Sequence, residues 1–121
     1  MRLRDLGEVT GNLLVFGGVC SNLQALRALD RVAQAFAPRN VICTGDIAAY
    51  CADPAACVDL VHARGWVTVA GNCERQLAAR ADDCGCGFEG GSTCDRLSRG
   101  WYAHADREID DDARDWMAGL P

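Results

Sequence analysis

Three short apolar runs, Leu13 to Phe16, Val41 to Thr44 and Trp66 to Ala70, each close on a glycine-bearing turn: Gly17-Gly18, Gly45-Asp46 and Gly71-Asn72. Runs this short and apolar read as buried strands. Between them lie segments with helical spacing. Ser21-Asn22-Leu23-Gln24 matches a capping box, and Leu23, Leu26, Ala33 and Phe36 recur on one face until Pro38. Asp53-Pro54 reads as an N-cap followed by a first-turn proline, with Gly65 as the stop. A helix from Glu74 to Ala81 follows the third strand. The order β-α-β-α-β-α implies parallel strands joined by right-handed crossovers. In open sheets of this kind ligands bind beyond the carboxyl ends of the strands. The ends GGVCSN, TGDIAAYC and AGNCE are therefore expected to converge.

The rest of the chain is less regular. Residues 82–100 are rich in Gly and Cys and aperiodic, so they are expected to form a loop ordered by a cross-link or a metal. Trp101 to Ala103 reads as a short strand, and Asp110 to Leu120 as a last helix with Trp116, Met117 and Leu120 on its apolar face. The run from Asp106 to Asp115 holds six carboxylates against two arginines and reads as a solvated face. A chain of 121 residues suits a single domain. Three strands and four modest helices cover a parallel sheet poorly. The expectation is an incomplete domain that self-associates or takes a partner over the open sheet.

Composition removes several chemistries. All twelve basic residues are arginine. P-loop phosphate binding and Schiff-base catalysis, which need lysine, are thus excluded. GGVCSN is not a dinucleotide-binding fingerprint. A net charge of -5 gives no bulk attraction to nucleic acid or an anionic membrane. Asp5, Glu8 and Asn12 interrupt the N-terminal stretch, which argues against an export signal and for a cytoplasmic chain. Eight cysteines in a reducing compartment suggest metal or redox chemistry rather than stapling.

In that order and spacing, GGVCSNLQAL, CTGDIAAYCADP and VAGNCERQL resemble the DxHGNxxAL, GDxxxxGxxP and GNHD motifs of the metallophosphoesterase (calcineurin-like phosphoesterase) family. The resemblance covers residues 13–80 and implies the parallel start of that family's sandwich, ending after about half of it. It implies hydrolysis of phosphoric esters by divalent ions such as zinc, iron or manganese, with a small phosphoester as ligand. It assigns Asp46 to the bridging metal ligand and Asn72 to a ligand of the second ion. It also shows departures. Gly18 stands at the first Asp ligand, Cys20 at the first His ligand, Cys73 at the catalytic His and Glu74 at the following Asp. Neither His62 nor His104 matches the family's remaining histidines, and both read as structural.

Three readings stay open: a weak or inactive hydrolase with a metal at Asp46, Asn72 and Cys20; a non-catalytic metal- or partner-binding module; and a zinc or redox protein. In the third, Cys20 and Cys73 form a redox pair, or Cys84, Cys86 and Cys94 hold a structural metal with Cys51 or Asp95 as fourth ligand. A cysteine nucleophile would need a base, and no histidine can be assigned to one.

Overall fold

The computed structural model describes residues 2–121. Strand β1 (Leu14–Phe16) leads to α1 (Leu23–Ala33), and a short 3-10 turn at Pro38–Asn40 delivers β2 (Val41–Cys43). Then follow α2 (Pro54–Arg64), β3 (Val67–Thr68), α3 (Asn72–Ala78), α4 (Thr93–Glu108) and α5 (Asp111–Ala118). The strands form one parallel sheet in the order β1-β2-β3, with Val15 opposite Ile42 and Ile42 opposite Val67. The α/β, parallel reading of the sequence holds.

Right-handed crossovers between strands in sequential order carry α1 and α2 to the same face, and these two helices pack on each other. Leu26, Val41, Cys43, Cys57, Val58 and Val61 make the core between sheet and helices, all fully buried. Phe16 closes it edge-on against Trp66 at 5.4 Å between ring centres. The opposite side of β1 is bare: Leu13 is 49% and Val15 57% exposed.

Several local expectations are corrected. The N-cap of α1 is Asn22, whose Oδ1 accepts the Ala25 amide at 3.0 Å; Ser21 lies outside the helix with φ 58°. A left-handed Ser21 cannot also close a capping box, because its backbone is spent turning the chain. Strand β3 is shorter than Trp66 to Ala70, spanning Val67–Thr68, and the Ala70 amide on the free edge donates to the Pro121 carbonyl. Helix α3 begins at Asn72, before Glu74, and ends at Ala78.

The largest correction concerns residues 82–100 and Trp101 to Ala103. Helix α4 starts at Thr93, capped by the Ser92 hydroxyl accepting from the Asp95 amide at 3.1 Å, and runs through all three of Trp101, Tyr102 and Ala103. Ser98, Tyr102, Ala105 and Ile109 face inward at helical spacing. Gly100 within the helix costs roughly 1 kcal/mol, and packing of that face overrides it. The irregular segment is therefore confined to the stretch before Ser92.

Helix α5 also differs from expectation. Its apolar side packs on α2 and α3. Met117 is buried, while Trp116 stacks on the exposed His62 ring at 4.9 Å. The acidic run is not all solvated. Arg114, 5% exposed, ties α5 to α3 through the Leu77 carbonyl and to α4 through the Asp106 carboxylate at 2.9 Å.

Candidate functional site at the strand ends

The three strand ends do converge, and backbone hydrogen bonds stitch them. Gly18 N–H donates to the Gly45 carbonyl at 3.1 Å, Cys20 N–H to Asp46 at 3.0 Å and Ser21 N–H to Ile47 at 2.7 Å. Four non-glycine residues here, Cys20, Ser21, Asp46 and Tyr50, have positive φ. Left-handed backbone in such residues is disfavoured and persists only where surroundings enforce it.

At Asp46 the group that holds the turn is Glu74. Its side chain is completely buried. Oε2 accepts from the amides of Asp46 at 2.8 Å and Gly71 at 2.9 Å; Oε1 accepts from Ile47 at 2.7 Å and Ala48 at 3.2 Å. Glu74 is the third residue of α3 and Gly71 its N-cap, so one of the four bonds is half of a capping box. The other three reach across to the β2–α2 loop. Close approach makes this clasp feasible: a Cβ on Gly71 would lie 2.2 Å from Asp46 Oδ1, and one on Gly45 would lie 2.4 Å from the Gly71 nitrogen.

Asp46 Oδ1 is buried without a hydrogen-bond partner, as is Ser21 Oγ. Asn72 is exposed, and its amide nitrogen donates to the Cys84 carbonyl at 2.8 Å while lying 3.4 Å from Cys86 Sγ and 3.7 Å from Cys73 Sγ. Asn72 thus belongs to the Cys84–Cys86 loop as much as to the strand ends. Burial, reinforced by the charges of Glu74 and Asp46, pushes the Cys73 thiol far up. Burial and then Asp46 likewise raise Cys20. Cys86 is pushed to about 11 by burial and by a hydrogen bond with Cys84, and Cys43 and Cys57 to about 11 chiefly by burial. These five thiols are protonated near neutral pH, the opposite of what a reactive cysteine needs.

The late cysteines are not gathered as a ligand set. Cys84 is buried, Cys86 half-buried, and Cys94 sits exposed on α4. Asp95 is engaged by the Gly91 amide at 2.9 Å and by Arg99 at 2.6 Å. Cys51 is exposed beside Cys20, whose carbonyl accepts its amide. His104 Nε2 lies 2.9 Å from the Ala52 carbonyl and buttresses the β2–α2 loop. Two features escaped sequence reasoning: the clasp by Glu74, signalled only by a glutamate three residues after a glycine N-cap, and the meeting of Cys20 with Cys51, for which spacing gives no signal.

No family model and no curated protein matches the sequence. Among solved structures, the crystal structure of metallophosphoesterase from Sphaerobacter thermophilus matches 92% of this chain with a TM-score of 0.64 and 22% identity. The chain shares its fold with a metallophosphoesterase. The match covers 42% of that chain, so this protein spans less than half of its structural neighbour. The chain thus matches the fold of less than half of that neighbour, and its strand ends converge as the motif order implied.

A two-metal phosphoesterase centre needs a donor set around each ion. Among the described residues, no group of three or more His, Cys, Asp or Glu side chains is placed to hold a metal ion. Gly18 has no side chain to offer, and both oxygens of Glu74 are consumed by amides. The residues present do not fit a two-metal centre. Asp46 Oδ1 remains as a buried oxygen with no partner.

Proposed function

We propose that this chain is a metallophosphoesterase-fold protein in which phosphoric ester hydrolysis is weak or absent, and that its strand-end surface binds rather than turns over. The observation carrying this reading is the Glu74 clasp: four amides at the strand ends are occupied by the protein's own carboxylate. These amides, which could otherwise point at an external anion, are already satisfied. Cys73, at the position of the family's catalytic histidine, is buried with its proton retained, so it cannot exchange one near neutral pH. The family's activity uses divalent ions. Zinc, iron or manganese and a small phosphoester are the ligands that a site at Asp46, Asn72 and Cys20 would take, with zinc and iron favoured by the thiol.

The expected result is no hydrolysis of bis-p-nitrophenyl phosphate above the rate of buffer containing the same manganese, zinc or iron(II). Turnover that scales with protein and is abolished by Asp46→Asn would overturn the reading and restore a hydrolase.

We further propose that the bare side of β1 is covered in the working protein by a second copy or a partner chain. Leu13 and Val15 are about half exposed on a strand that is also a sheet edge. Unpaired edges and apolar faces are association sites. Sedimentation velocity at micromolar concentration should show species larger than the monomer, lost in Val15→Lys. A compact monomer at all concentrations would refute self-association.

A further inference from the structure

We propose that Cys20 and Cys51 form a reversible disulfide that straps the β1–α1 loop to the β2–α2 loop. The inference stands apart from the hydrolase question. Cys51 N–H donates to the Cys20 carbonyl at 3.1 Å, and two residues on Asp53 N–H donates to the Ser21 carbonyl, also at 3.1 Å. The direct bond between the Cys51 amide and the Cys20 carbonyl puts the two backbones in contact, and a disulfide bridges Cα atoms about 4.4–6.8 Å apart. Both residues line one solvent-open pocket of about 400 Å³, together with Phe16, Val19 and Leu29. Cys51 is exposed and Cys20 half-buried, so a small oxidant reaches the pair. The Cys20 thiol is raised partly by Cys51, consistent with their proximity.

The other thiols are placed differently. Cys43, Cys57, Cys73 and Cys84 are buried, Cys86 faces Asn72, and Cys94 is exposed on α4. The redox partner expected from sequence, Cys73, lies beside Asn72 with Cys84 and Cys86 as its thiol neighbours.

The oxidant is a low-molecular-weight disulfide. The Cys51 thiolate attacks one of its sulfurs, the S–S bond breaks, and one small thiolate leaves. The Cys20 thiol, pushed up by burial, must first lose its proton, which makes this the slower step; its sulfur then attacks the Cys51 sulfur of the mixed disulfide and expels the second small thiolate. Two electrons and two protons pass from the cysteine pair to the reagent, giving one protein disulfide and two small thiols. Because the Cys20 amide donates to the Asp46 carbonyl, the new bond fixes the loop that carries Asp46.

The test treats the full chain with glutathione disulfide, blocks remaining thiols with iodoacetamide and cleaves after arginine. The expected product joins the peptide Asp5 to Arg27, whose one cysteine is Cys20, to the peptide Asn40 to Arg64. Dithiothreitol should release it. It should vanish in Cys51→Ser, which replaces an exposed side chain and keeps the wild-type circular dichroism, and persist in Cys94→Ser. Cross-linking that survives Cys51→Ser, a Cys20–Cys73 product, or only glutathione adducts on Cys51 would overturn the proposal.

Discussion

Glu74→Ala is expected to destabilise the protein by about 3–5 kcal/mol, a large part of the roughly 5–15 kcal/mol that holds a domain of this kind together. Glu74 is fully buried and accepts from the amides of Asp46, Ile47, Ala48 and Gly71. Removing it leaves four buried or half-buried donors unsatisfied, and each orphaned donor costs about 1–3 kcal/mol before relaxation and water entry. Glu74→Gln should do nearly as badly despite its matched shape. One of its two polar ends becomes an NH2, which must face two amide donors. Urea unfolding followed by circular dichroism reads both variants, and an unchanged slope would assign the shift to stability rather than to a changed unfolded state. A loss below about 1 kcal/mol for Glu74→Ala would mean that water replaces the carboxylate and that the clasp does not organise the strand ends.

Gly45→Ala should be comparably damaging, for a steric reason. Its φ is 94°, where a side chain is strained, and an added Cβ would lie 2.4 Å from the Gly71 nitrogen, 2.8 Å from the Val69 carbonyl oxygen and 2.9 Å from the Gly71 Cα. Every one of those atoms is backbone, so no side chain can rotate away, and β3 must part from the β2 loop. The expected cost is about 3 kcal/mol or more. Gly90→Ala is the matched control: nothing lies within 4 Å of its added Cβ and its φ is not left-handed. That change should leave stability within about 1 kcal/mol or raise it slightly through the unfolded chain. Equal effects at the two glycines in thermal melts would refute the steric account.

The sheet was legible because a parallel strand buried on a helical face must be a run of apolar residues, and Leu14 to Phe16 and Val41 to Cys43 are such runs. The turn chemistry of Asp53, Pro54 and Gly65 was equally plain: Gly65 does close α2 in a left-handed conformation. Helix α4 was hidden because its inner face includes Ser98, a polar residue buried in the structure, and because Gly100 breaks the helical pattern on its outer side. The Ser92 and Asp95 pairing at its start carried the signal that composition obscured. The sequence supplied the convergence of the three strand-end turns, but not which groups Cys20, Asp46 and Asn72 would each meet. Glu74 reads as the start of a helix and as the stand-in for the family's Asp, and no pattern in one dimension shows that it faces three amides of a distant loop. The same limit separated Cys20 from Cys51, brought together by a hydrogen bond between loops that belong to different strands.

The clasp also bears on the order in which a growing chain can settle. Asp46 and Glu74 are separated by 28 positions. During synthesis from the N-terminus, β1, α1 and β2 emerge while the loop after β2 still lacks the carboxylate that satisfies its amides. Until α3 has left the ribosome, the amides of Asp46, Ile47 and Ala48 lack their carboxylate, and only the carbonyls of Asp46 and Ile47 have partners, in the amides of Cys20 and Ser21. Full satisfaction of the loop after β2 thus waits on a single side chain from a later helix.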